Sequence, residues 1–275
     1  MLFERQRRLG GSLVLASTVH PDNERFLNWL LAEVQRLQVD VRTGSAATVA
    51  RVKAEQPDAV IVATGAVVVT PVIAGIERAS VITGALLRQI MAGELQPNEA
   101  WRLPGWQQVL VRQCIPLVQR VMTPGLLRYA SRCWMPIGKA VVIIGADLVA
   151  IELAEFLAER GRTVHVVDAT KKIIPEVGKK RRHEHMDRLD HLRITVNTAV
   201  SIQRIDAAAV IIAVQGREHA IPCDSVIVAG EVIADTTFAA ALQTAGLPVQ
   251  SIGDCTGLGL IVKATTTAAE AVARI

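Results

Sequence analysis

The stretch from Ala140 to Asp168, AVVIIGADLVAIELAEFLAERGRTVHVVD, constrains the fold more than any other part of the chain. AVVII is a short apolar run of the kind buried on both faces of a sheet. Gly145 supplies a tight turn, LVAIELAEFLAER is a strong helix former, and Gly161 is a natural stop for that helix. TVHVVD then reads as a second strand and ends in an acid, Asp168. Strand, glycine turn, helix and strand in this order predict neighbouring parallel strands covered by a helix.

The spacing fits the dinucleotide fingerprint G-x-G-x-x-G with an acid about 20 residues further on. Gly145 takes the first position, and Ala150 takes the third, where a small side chain allows close helix–strand packing. Ala146 lies between them in the turn. Asp168 can hydrogen-bond both ribose hydroxyls of NAD and repel the extra phosphate of NADP. Lys171 and Lys172 beside it weaken that repulsion, so NAD is favoured only slightly. The exception is Asp147, which stands where the fingerprint has its second glycine, the residue nearest a pyrophosphate. An Asp at a helix start is a good N-cap, and its carboxylate can occupy the anion site that phosphate would use. A full charge about 4 Å from a phosphate charge costs on the order of 4 kcal/mol at an effective dielectric of 20. Rotating the side chain outward or retaining a water removes much of that cost.

The rest of the chain continues the alternation. NERFLNWLLAEVQRL has Phe26, Leu27, Leu30, Leu31, Val34 and Leu37 at helical spacing, and VDVRTGS after it is β-rich. DAVIVATG suits a strand buried on both faces. RITVN, AAVIIAVQG and DSVIVAG read as further strands, and the final 29 residues read as strand, glycine loop and helix. Residues 84–135 differ in character, with Trp101, Trp106 and Trp134, several prolines, and no acid between Trp101 and Lys139. Such a segment fits a membrane or partner surface, or else helices that cover the junction of two halves or pack against a further domain. Prolines at 104, 116, 124 and 136 break any long amphipathic face and favour the latter. KKRRHEH reads as a solvated face, and the histidines as structural or solvated.

These pieces resemble the C-terminal FAD/NAD(P)-binding region of the NADH:flavin oxidoreductases related to old yellow enzyme, the 2,4-dienoyl-CoA reductase and trimethylamine dehydrogenase type. LFERQRRLGGSL, DAVIVATG, the fingerprint unit, DSVIVAG and VQSIGDCTGLGLIVKATTTAAEAVARI carry the resemblance, which spans the chain except Gly84 to Pro136. It implies an α/β fold of two Rossmann-like parallel-sheet halves, with the NAD(P) half inserted into an incomplete FAD half. The implied boundaries are 1–83 and 249–275 for the FAD half, 84–135 for the insertion, and 136–248 for the NAD(P) half.

For FAD the resemblance implies Glu4 at the adenosine ribose, the loop Gly10–Gly11, the turn Thr64–Gly65, and Gly253 and Asp254 at the ribityl–phosphate region. For NAD(P)H it implies Gly145, Ala146, Asp147, Ala150, Asp168 and Gly230. If Glu4 ends a second strand, a first strand, its glycine turn and a helix belong before it. They are expected from a partner chain or to be lost by truncation, the latter being favoured. FMN and an iron–sulfur cluster belong to an upstream barrel in this family, so a separate FMN-barrel chain is a conceivable partner.

Composition narrows the remaining classes. A net charge of +4 spread over 275 residues, with few aromatics, gives no nucleic-acid signature. Cys114, Cys133, Cys223 and Cys255 form no C-x-x-C pair, so a metal site is not expected and reduced cytoplasmic thiols are. No apolar run is long enough to span a bilayer, and membrane association is not expected. Two functional readings follow: an enzyme module passing hydride from nicotinamide to flavin, or a non-catalytic nucleotide-binding or interaction subunit without bound flavin. No catalytic residue for an organic substrate is assigned, and the final substrate and oligomeric state stay open.

Overall fold

The computed structural model describes residues 1–84, 86, 123–135 and 137–275. The chain forms two compact units. The smaller comprises 1–9, 39–69 and 231–275; the larger comprises 10–38 and 70–230.

The larger unit opens with α1 (Gly11–Val19) and α2 (Asp22–Arg36). Its centre is a five-stranded, all-parallel sheet built from β5 (Val81–Thr83), β6 (Ala140–Ile144), β7 (Thr163–Val167), β8 (Thr195–Asn197) and β12 (Ser225–Val228). The order is β5-β12-β6-β7-β8. An antiparallel sheet, β9 (Ser201–Ile205), β10 (Ala209–Val214) and β11 (Arg217–Pro222), has β10 in the middle. Residue alternation along β6 sends Val141 and Ile143 to one face and Val142 and Ile144 to the other. The first pair packs with Ile151, Ala154 and Leu157 of α5 (Leu148–Ala158) and Leu189 of α6 (Lys179–His191). The second pair packs with Ile205, Val210, Ile212 and Ile221 of the antiparallel sheet. Both faces of β6 are therefore covered, which is why AVVII tolerates no polar residue. Each fully buried Val or Ile contributes about 1.5–3 kcal/mol.

Local signals behave as the sequence predicts in α5. Gly161 ends the helix, with its amide on the Ala158 carbonyl (2.9 Å) and the Arg162 amide on the Leu157 carbonyl (3.2 Å). α4 (Pro124–Cys133) begins with Thr123 as N-cap and a proline in its first turn, so Pro124 starts a helix rather than breaking one. α4 packs on α1. Trp101, Trp106 and Cys114 lie outside the described residues.

The smaller unit contains three two-stranded pairings. β1 (Leu2–Phe3) and β2 (Val41–Arg42) are parallel, as are β3 (Val60–Val62) and β14 (Val249–Ser251); β4 (Val67–Val69) and β13 (Glu231–Ile233) are antiparallel. Its core joins Val52 of α3 (Val49–Ala54), Val62, Ala239 and Leu242 of α7 (Thr237–Thr244), and Cys255. The chain ends in α8 (Ile261–Val272).

Three features differ from the sequence reading. β5 lies inside the stretch 1–83 assigned to the FAD half, yet it extends the five-stranded sheet beside β12. Residues 231–248, assigned to the NAD(P) half, join the smaller unit through β13 and α7, and residues 10–38 group with the larger. β3 is not buried on both faces, since Ile61 is 41% exposed. Its neighbours Val60 and Val62 direct backbone bonds to the β14 side, through Val60 N to Pro248 O and Ile252 N to Val62 O. In a parallel ladder that leaves the Ile61 peptide groups on the opposite edge.

Candidate functional site: the glycine turn after β6

Gly145 has φ +119°, and a Cβ there would stand 3.0 Å from Ala229 Cβ. Its amide donates to Val167 O (2.9 Å) and the Ala229 amide to Ile144 O (3.0 Å), so the turn is tied to both neighbouring strands. Ala146 and Ala150 are 2% and 1% exposed, which explains why only small side chains fit at these positions. The Ala146 carbonyl accepts from the Ile174 amide at 2.7 Å.

Asp147 is the N-cap of α5. It has extended backbone angles, and its Oδ1 accepts from the Ala150 amide at 2.7 Å. The inward, capping arrangement is thus the one adopted. Burial holds its carboxyl above the usual range, the Ala150 bond opposes that shift, and Glu176 and Asp168 add to it. Glu176 Oε2 is buried without a hydrogen-bond partner.

Asp168 sits just past β7, on the neighbouring parallel strand. Its Oδ2 accepts from the Ala146 amide (2.8 Å) and its Oδ1 from the Thr170 amide (2.5 Å). The fold therefore brings Gly145, Ala146, Asp147, Ala150 and Asp168 together. Gly230 follows β12, at the point where the chain leaves the larger unit.

In the smaller unit Glu4 has the same local form as Asp168. It follows a parallel strand, and its Oε1 accepts from the amide two residues on, Gln6 (2.8 Å). Thr64 and Gly65 lie between β3 and β4. Gly253 donates its amide to Thr267 Oγ1 (3.0 Å), and Asp254 Oδ1 accepts from the Gly259 amide (3.0 Å). These bonds set a short 3-10 turn, Gly253–Thr256, ahead of α8, whose N-terminus carries no side-chain cap. Gly10 and Gly11 group with the larger unit, at the start of α1. Gly10 has φ +117°, a backbone conformation that favours glycine, and a Cβ there would also crowd Val14 Cγ2 at 2.7 Å and Leu27 Cδ1 at 2.9 Å.

A charged cluster between α5 and α6 is not evident from spacing in the sequence. Glu155 and His185 are 3% and 6% exposed and meet at 2.7 Å. Arg188 Nε reaches Glu155 Oε2 at 3.2 Å and also pairs with Glu159; Arg181 pairs with Glu152 at 3.4 Å. Glu152, Glu155, Glu159 and Arg188 border a cavity of about 460 Å³ that also touches His20, Arg128 and Tyr129. Within the cluster each of these carboxylates has a basic partner, which makes it a clamp between helices. KKRRHEH is accordingly not wholly a solvated face. Cys223 and Cys255 are buried thiols, pushed up chiefly by burial. Among the described residues no group of three or more His, Cys, Asp or Glu is arranged to hold a metal, and no helix is long and apolar enough to cross a membrane.

Several known proteins are similar to this chain in sequence and fold. The chain is 29% identical over 257 residues to the bilirubin reductase of Mediterraneibacter gnavus, covering 93% of this chain and 33% of that protein. It is 27% identical over 272 residues to the NADH oxidase of Thermoanaerobacter brockii, covering 97% and 36% respectively. The chain therefore spans about a third of the length of these relatives. A 2-naphthoyl-CoA reductase structure matches with a TM-score of 0.73 at 26% identity, over 95% of this chain and 34% of that one. Histamine dehydrogenase from Rhizobium sp. 4-9 shares the fold, with a TM-score of 0.68 at 19% identity, over 99% of this chain and 39% of that one. Residues 22–256 match the pyridine nucleotide-disulphide oxidoreductase family, and with a Rossmann-like α/β fold to support that match the chain belongs to this family.

Proposed function

We propose that this chain is the nucleotide-handling region of an NAD(P)H-dependent flavin oxidoreductase. The observation that carries the reading is Asp168, whose carboxylate is fixed by two backbone amides beside the Gly145 turn. A carboxylate so oriented accepts both hydroxyls of an adenosine ribose without further ordering cost, and its charge disfavours a 2′-phosphate. NADH is therefore the preferred donor. Glu4, with the same local geometry, serves the ribose of FAD, and the uncapped start of α8 beside Gly253 and Asp254 favours the negative charge of that cofactor. The nicotinamide and flavin supply the hydride chemistry; the chain's residues bind and orient. The relatives are about three times as long, and the family resemblance assigns the additional length to an FMN barrel. Electrons would pass through that barrel to an unsaturated or amine substrate, whether it sits on the same polypeptide or a partner.

One observation favours a second reading, a nucleotide-binding subunit without redox turnover: the Asp147 carboxylate already fills the helix-start position that a pyrophosphate would take. Anaerobic titration separates the two. The purified protein, incubated with FAD and desalted, is expected to be yellow and to lose its absorbance near 450 nm when NADH is added. A colourless protein that FAD cannot reconstitute would overturn the oxidoreductase reading for this chain and leave the second.

A further inference from the structure

Two of the turn's amides already donate to carboxylates of this chain. Ala146 N–H is held by Asp168 Oδ2 and Ala150 N–H by Asp147 Oδ1. The donors left at the helix start are the Leu148 and Val149 amides, directly beside the Asp147 carboxylate. The charged groups acting on Asp147 are Glu176, from the loop ahead of α6, and Asp168, at the end of β7. Both are carboxylates, so a pyrophosphate would add negative charge to a cluster that already carries it.

We propose that dinucleotide binding at the Gly145–Ala150 turn takes up one proton, carried by Asp147; this rests on the turn being the dinucleotide site. A neutral Asp147 keeps Oδ1 as acceptor for the Ala150 amide, so the helix stays capped. Its other oxygen then holds a hydrogen and donates to a phosphate oxygen instead of repelling it. The proton comes from solvent and stays on Asp147 while the nucleotide is bound. Burial and the two neighbouring carboxylates already favour the neutral form before any ligand arrives. A bound pyrophosphate favours it further, so the carboxyl titrates at higher pH in the complex than in the free protein. Between those two points affinity rises as pH falls, by about tenfold per pH unit, and outside them it is flat.

The test is calorimetric titration of the full chain with ADP-ribose, which carries the pyrophosphate and adenosine without a redox-active ring. Measured in PIPES, HEPES and Tris, the heats are expected to differ by the buffer ionisation enthalpy times about one proton taken up. Asp147→Asn, an N-cap as good as Asp, is expected to abolish both proton uptake and pH dependence and to bind at least about tenfold tighter at pH 8. Binding by the parent with no proton uptake, or an Asn variant that retains the pH dependence, overturns the coupling and leaves the site intact. Failure of the parent, Asp147→Asn and Asp147→Gly to bind ADP-ribose at any pH overturns the site reading and the coupling with it.

Discussion

Gly145→Ala tests the turn at its tightest point. Two costs follow from the structure. The backbone at φ +119° is a conformation that side-chain-bearing residues rarely adopt, and forcing it costs about 1–3 kcal/mol. The new methyl would also stand 3.0 Å from Ala229 Cβ. Ala229 cannot retreat freely, because its amide bond to Ile144 O (3.0 Å) holds the end of β12 against β6; loosening that bond costs about 1 kcal/mol. Together these predict a loss of roughly 2–4 kcal/mol, or a melting point lower by about 4–16 °C for a chain of this size. Thermal melts followed by circular dichroism read this directly. Pairing Gly145→Ala with Ala229→Gly removes the methyl contact but not the backbone strain, so the double variant should recover about 1 kcal/mol relative to the sum of the singles. A Gly145→Ala protein melting within a degree of the parent would refute the strain argument. A double variant with no recovery would refute the contact.

Asp168→Ala is expected to raise the NADH dissociation constant at least about tenfold, because hydrogen bonds to charged groups are worth roughly 1.5–3 kcal/mol each. Nucleotide fluorescence titration measures it, and an unchanged constant would remove Asp168 from the site. His185→Leu should destabilise the protein by about 3 kcal/mol in urea unfolding, since it leaves the Glu155 carboxylate buried with only Arg188. Adding Glu155→Leu should restore much of that loss; if the double variant is as weak as the single, the pair is not the source of the cost.

Much of the larger unit was legible from short-range signals. AVVII, the glycine after it and the Gly161 stop each act within a few residues of themselves, and strand β6, the turn and α5 follow from them. The capping role of Asp147 was legible for the same reason, since an N-cap bonds an amide only three residues on. REHAIP and SIQRI were not recognised as strands β11 and β9. Their residues are mostly polar or exposed on one face, and their partner β10 is what holds them.

The sequence by itself determined the βαβ unit, its glycine turn and the acid that closes it, because periodicity and turn chemistry are local. Only the tertiary structure decided that β5 joins the larger sheet, that Leu27 packs over Gly10, and that Glu155 is buried against His185. It alone also brought Asp168 to the Ala146 amide, 22 residues earlier in the chain. The reason is the same in each case. Such contacts join residues on different elements, and packing of whole strands and helices selects them where no spacing within a segment records them.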